Sequence, residues 1–396
     1  MQTLSKRNVL LIGITLFSMF FGAGNLIFPP FLGYGAGAVS VPAFIGFVLT
    51  AVVFPVLGVT AVAKSGGLDR LCEKVHPQFS VVFSIAVYLC IGPMLAIPRT
   101  AGTSYAMFSF LTDRLGEGSV FGIPVQTAAA ISFSVVFFIA AGIFARHPER
   151  LKDILGKRMT PVLLVLILLM FGACVLHGEL PASETLPKYS ANPFGTGFVD
   201  GYQTMDTMAA LVFGIVIAIN IRALGVEDND RIALETIKGG VIAGIFLAAI
   251  YGMLTFVGMK SGSLISGAEN GTEILTAACL RFFGSTGAVI LALIFFIACF
   301  NVCIGLISSC AEFFSMKFTF LSFHAWIWVL TAWSFIISIF GLNTILAISV
   351  PILSVIYPVA IIIIILNLLP GAFFRQKQVQ RAAVILALAY GVYSVL

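Results

Sequence analysis

The sequence predicts an all-α polytopic membrane protein, and three observations carry that prediction. The chain of 396 residues is 60% hydrophobic and 10% charged, whereas a soluble domain carries about 25% charge to build a solvated surface. Apolar runs of roughly 20 residues, the length that crosses a bilayer as a helix, recur along the whole chain. A barrel would show short alternating strands instead. The third observation is that the basic residues gather in alternate loops, as the positive-inside rule requires. A net charge of +5 spread over such loops is not a nucleic-acid signal.

Eleven spans are expected, near 8–35, 39–63, 78–110, 123–144, 155–177, 194–221, 239–260, 286–314, 322–340, 344–369 and 380–396. Lys6 and Arg7 before an apolar run resemble a signal peptide, but the run is too long and is expected to be retained. With the amino terminus in the cytoplasm, seventeen of the 22 Lys and Arg residues lie inside and four (Arg114, Lys188, Lys260, Arg281) outside, leaving Arg99 in the membrane. The excess supports the span count too, because one missed span would invert every later loop.

The first span is interrupted. Gly22, Ala23, Gly24 and Asn25 sit near half depth, and Pro29 and Pro30 follow. Glycine continues a helix poorly and proline removes amide donors. Half-helices near 8–21 and 26–35, joined by an unwound link, are expected, the prolines standing near the start of the second half. The alternative is a kinked, closed helix whose glycines serve packing. A true break cannot face lipid and must line a cavity or be buried in protein. It aims free amides from one half and carbonyls from the other at that cavity, so an anion and a cation fit side by side, as in secondary transporters.

The sixth span crowds Asp200, Gly201, Tyr202, Gln203, Thr204, Asp206 and Thr207 ahead of an apolar run. An acid in the membrane costs about 2.5–3.5 kcal/mol even on lenient insertion scales. Asp200 suits the outer loop, and Asp206, deeper, is expected to be buried. Spans one and six are five apart and enter from opposite sides. That is the arithmetic of two five-span halves related by an in-plane twofold axis, 8–177 and 194–369, with 380–396 as an additional span in one transmembrane domain.

Arg99 in the third span needs a carboxylate or helix carbonyls unless it snorkels to water, and Asp206 is the candidate partner in a gating or charge pair. Asn301 lies in the middle of the eighth span. Ser308 and Ser309 there offer oxygens to a cation or bond back to their own helix. Residues 145–158 read as an interfacial helix or a basic anchor, and 261–284 as a loop containing a re-entrant or lid helix or as a plain loop. The seven cysteines lie mostly in apolar runs without His or acid partners at metal-ligand spacing, and no role is assigned to the four histidines.

Phe21-Gly-Ala-Gly-Asn-Leu-Ile-Phe-Pro-Pro30, Gly92-Pro-Met-Leu-Ala-Ile-Pro-Arg-Thr100, Gly201-Tyr-Gln-Thr-Met-Asp206 with Val212-Phe-Gly-Ile-Val216, Ile297-Ala-Cys299 with Cys310-Ala-Glu-Phe-Phe314, and Ser349-Val-Pro-Ile-Leu353 with Ile356-Tyr-Pro358 resemble the branched-chain amino acid carrier family (the BrnQ type). The resemblance runs in order from the first span to the tenth. It implies cation-coupled symport of leucine, isoleucine and valine, with sodium in most members and a proton as the alternative, across the bacterial cytoplasmic (inner) membrane. It also implies the amino-acid transporter (LeuT-like) fold, with two inverted five-helix repeats, broken first and sixth helices and an extra carboxyl-terminal span.

By the same resemblance, Gly22, Ala23 and Gly24 would meet the substrate carboxylate, and Tyr202 and Thr204 would border the substrate. Ser18 and Phe21 carbonyls, Asn25 and Asn301 would hold the cation. Two positions depart from the family: Val302 stands where a threonine hydroxyl is expected, and Ala106 where a glutamate is. No cofactor or metal beyond the coupling ion is expected. The expected partners are the amino acid and the bilayer. A channel lacks a continuous polar pore here, an enzyme a catalytic constellation, and a pump a nucleotide-binding Gly-x-x-x-x-Gly-Lys-[Ser/Thr] loop. A transport-uncoupled amino-acid sensor of the same fold is the remaining alternative.

Overall fold

The structure, a computed structural model, describes residues 4–112, 118–120, 122–146, 157–176, 181–262, 264–371, 373–374 and 376–396. Helices stand at all eleven expected spans. Seven helical stretches among the described residues are long and apolar enough to cross a bilayer; Phe323–Ser338 is apolar but shorter. The interfacial helix expected at 145–158 falls largely on residues outside the described set.

Span one is broken, but not where the sequence suggested. α1 (Lys6–Phe20) and α2 (Ala23–Ala36) meet at Phe21 and Gly22, both extended. Ala23, Gly24 and Asn25 are therefore the first turn of α2 rather than an unwound link. The reason is local: the Asn25 side chain accepts from the Gly22 amide at 3.0 Å, replacing a helical acceptor and restarting the helix early. Pro29 and Pro30 consequently lie inside α2, where their nitrogens offer no hydrogen to the carbonyls of Asn25 and Leu26.

Span two is α3 (Ser40–Val48) and α4 (Phe54–Ser65), joined by a π turn over Leu49–Val53. Pro55 cannot donate to Ala51, and the ladder widens so that the Phe54 amide reaches the Leu49 carbonyl. Span three repeats the device: α5 (Pro77–Leu89), a π turn Cys90–Met94 around Gly92 and Pro93, then α6 (Ala96–Ala106). Spans four and five are α7 (Val125–Ala145) and α8 (Lys157–Leu176).

Span six is also broken. α9 (Pro193–Asp200) passes through a 3-10 turn, Gly201–Thr204, and Met205 at φ 64° before α10 (Asp206–Ala223). Span seven is α11 (Asn229–Met259). Span eight, α12 (Gly271–Lys317), starts earlier than expected and bends at Gly284, φ 64°. Residues 271–283 are thus a separate helical arm, so the stretch 261–284 is not a plain loop. α13 (Phe323–Ser338), α14 (Leu342–Leu368) and α15 (Lys377–Tyr393) complete the chain.

Spans one, two, six and seven form one bundle: α1 and α2 pack along α11, and α9 and α10 along α3 and α4. Both seams bring backbone against backbone. A methyl on Gly258 would lie 1.9 Å from the Pro30 carbonyl oxygen, and one on Gly197 1.9 Å from that of Ala43. Such contact suits association in lipid, where burying apolar surface gains nothing. Exchanging span one with six and span two with seven turns the one–seven pair into the six–two pair. Outside the bundle α6 packs along α12, and α7 against α13. The outward faces carry exposed Val136, Ile245 and Leu386, as solvation by hydrocarbon requires.

Gly258→Leu should lower the stability of the purified protein by about 1–3 kcal/mol, the usual cost of overpacking. Gly305→Ala, which meets nothing within 4 Å, should not. Thermal unfolding in one detergent compares the two.

Candidate functional site

The two breaks face one another. A methyl on Gly24 would stand 3.1 Å from the Thr204 carbonyl oxygen and 2.8 Å from an Arg99 Nη atom. A side chain there would press on the turn of span six and displace the guanidinium. Gly22, Ala23, Gly24, Asn25, Thr204, Asp206 and Arg99 are therefore brought together from spans one, three and six.

At the junction the end of α1 is left open. The last bond of its ladder runs from the Phe21 amide to Phe17, and the Gly22 amide turns to Asn25. The Ser18 carbonyl thus loses the amide that a continuous helix would supply. Asn25 then donates to Asp206 Oδ2 at 2.6 Å and to the Tyr251 hydroxyl, which itself donates to Asp206 Oδ2 at 3.0 Å. All three side chains are buried. Asp206 opens α10, where the helix dipole favours a carboxylate.

The expected pair between Arg99 and Asp206 is not a contact. Both are buried, but the arginine donates Nη1 to the Gln203 carbonyl at 2.6 Å, and the described ion pairs do not include it. The unwound span-six backbone offers a carbonyl at closer reach, while Asp206 is taken by Asn25 and Tyr251. The Arg99 guanidinium also lies over the Phe28 ring, 5.3 Å from its centroid. Its Nε and Gln203 Oε1 are buried without partners.

Tyr202 turns to span ten and stacks on Tyr357, with ring centroids 4.3 Å apart. It borders the Gly24 gap only through its neighbours Gln203 and Thr204. Of the expected cation ligands, the Ser18 side chain is exposed on the outer face of α1 and Asn301 is half-buried in α12. Val302 presents a methyl 3.4 Å from the position of a Gly22 Cβ, so span eight offers hydrocarbon there.

Two residues that sequence reasoning missed hold the site in place. Tyr251 closes the Asn25–Asp206 cluster. Thr50, at the π turn of span two, donates to the Phe198 carbonyl at 2.8 Å, and its own carbonyl accepts from Thr207 at 3.1 Å. It thereby ties both halves of the broken sixth span. The available signals were a lone tyrosine within an apolar span and a threonine one turn before a proline.

Above Phe28 and Gln203 opens a vestibule of about 260 Å³. Apolar Ile27, Leu346 and Val350 line its wall, and Lys188, Asp200, Asn270 and Asn343 its polar part. Lys188 pairs with Asp200 at 3.2 Å, and Tyr189 donates to the same carboxylate. Burial, with the adjacent Asp200 charge, pushes the Tyr189 phenol far above its ordinary range. Asn343 donates to Glu269 and accepts from Asn270 at 3.0 Å, linking span ten to the arm of span eight. All seven cysteines are buried and free.

A family model described as branched-chain amino acid transport protein matches residues 5–396. Over 398 residues the chain is 37% identical to the branched-chain amino acid permease BraB of Bacillus subtilis, covering 100% of this chain and 86% of that protein. It is 38% identical over 395 residues to the branched-chain amino acid transport system 2 carrier protein of Pseudomonas aeruginosa, covering 99% and 87%. Among solved structures it resembles MHP1, a nucleobase-cation-symport-1 family transporter in a closed conformation with bromovinylhydantoin bound, at TM-score 0.59, 11% identity and 98% and 90% coverage. It also resembles MhsT in complex with L-phenylalanine, at TM-score 0.57, 16% identity and 100% and 99% coverage. These likenesses establish the LeuT-like fold, with its inverted five-span repeats.

Replacing Thr50 by Val should cost about 1 kcal/mol or more of stability, because the Phe198 carbonyl loses its donor, while Thr50→Ser keeps the bond. Hydrogen exchange at residues 198–207 should rise in the valine variant alone.

Proposed function

The chain belongs to the branched-chain amino acid transport protein family, and we propose that it is a secondary active transporter carrying leucine, isoleucine and valine into the cell by cation symport, with sodium as the coupling ion. The observation that carries this reading is the apposition of two helix breaks, Phe21–Gly22 and Gly201–Thr204, beneath a vestibule.

In this reading the substrate carboxylate meets the first amides of α2, at Ala23 and Gly24, and the amine meets carbonyls near Tyr202 and Thr204. The side chain enters an apolar pocket bordered by Phe20 and Phe21. One methylene in such a pocket discriminates by only about 1–3 kcal/mol, so the three branched side chains share the carrier. The cation sits at the open end of α1, by the Ser18 and Phe21 carbonyls, with Asn25 and Asn301 at its sides. One charge moving through about 100 mV releases about 2.3 kcal/mol, enough for roughly fifty-fold accumulation. The bundle of spans one, two, six and seven rocks against the rest, with repeats 8–177 and 194–369 as the symmetric halves and the amino terminus in the cytoplasm of a bacterial cell.

A proton is the second reading for the coupling ion, and two observations favour it. Val302 gives the junction no hydroxyl from span eight. The Asn25 amide is engaged by Gly22, Asp206 and Tyr251 rather than left open to a cation. The buried Asp206 carboxylate would then be the group that takes and releases the proton.

Proteoliposomes loaded with imposed sodium or proton gradients separate these readings. Labelled leucine should accumulate with sodium alone, and accumulation after both gradients are collapsed would exclude symport. Gly24→Leu should reach the membrane yet abolish uptake, since its side chain would meet Thr204 and Arg99.

A further inference from the structure

Resting on that reading of the site, we infer that Arg99 binds the substrate's α-carboxylate directly. Arg99 is 4% exposed and stands between the two helix breaks. Its Nη1 bond to the Gln203 carbonyl satisfies hydrogen bonding but supplies no counter-charge, and Nε is left without a partner. The nearby acid, Asp206, makes no ion pair with it and is held by Asn25 and Tyr251. Asp206 offsets part of the cost of burying this arginine only through space, and a directly bound anion would offset more.

The surroundings select the anion. The guanidinium lies against Gly24, in the first turn of α2, so its charge and the helix amino end converge on one place. A planar carboxylate matches the edge of a guanidinium that still has a free donor. Phe28 and Gln203, which both contact Arg99, also line the vestibule, so the arginine lies one residue behind its wall. The arginine, not the helix amides alone, therefore makes a free carboxylate a condition of binding.

Binding of leucine and of leucinamide to the full-length protein in detergent tests this. Wild type should favour leucine by about 30-fold or more, the scale expected for a buried charge pair. Arg99→Gln should shrink the preference to about 3-fold or less, and Arg99→Lys should fall between. A preference unchanged in Arg99→Gln, with leucine still bound, overturns the Arg99 assignment and leaves the transport reading standing. Wild type that binds no leucine overturns both.

A second measurement needs no variant. In wild-type protein labelled with ¹⁵N in its arginine side chains and loaded with carboxyl-¹³C leucine, solid-state dipolar dephasing should place the labels about 4 Å apart or closer, the range of an ion pair. Absence of dephasing with leucine bound overturns the assignment.

Discussion

Asn25 is the side chain on which this architecture turns. A break in a transmembrane helix leaves peptide groups that hydrocarbon cannot satisfy. Here one amide side chain receives the Gly22 N–H and passes the connection to Asp206 and Tyr251. Three spans are joined at the level where two of them lose regularity. The break is possible because its loose ends have partners, and the acid is tolerated because its lone pairs are used.

Much of the fold was legible because bilayer thickness imposes a length on every span. The interruption in span one was also visible, since Gly22-Ala-Gly-Asn25 is a poor helix. Its position was misjudged by a few residues because the deciding contact, Asn25 to Gly22, is a cap that competes with composition. Arg99 was recognised as costly, but cost does not identify a partner. The nearest acid in the pattern, Asp206, was already taken by a tyrosine from another span. Thr50 escaped notice because a threonine hydroxyl in an apolar helix commonly bonds back to its own turn, and Tyr251 because a lone tyrosine in an apolar span names no partner. Only tertiary placement shows otherwise.

The proline-widened turns in spans two and three belong to the same economy of backbone bonds. Each gives up one helical bond and redirects the residues around it. In span two the result is a threonine whose hydroxyl and carbonyl both reach span six. Irregularity in one helix thus supports irregularity in its neighbour. The tight glycine seams hold span one to span seven and span six to span two.

The bend at Gly284 has a mechanical consequence. It divides span eight into a long shaft, which lies along α6, and a short arm whose first residue abuts α2: a methyl on Gly271 would come within 1.8 Å of the Ile27 carbonyl oxygen. The arm is pivoted on one body and rests on the other. Through the Asn270–Asn343 bond the same arm also reaches the start of span ten, so one short helix touches both the first and the tenth span.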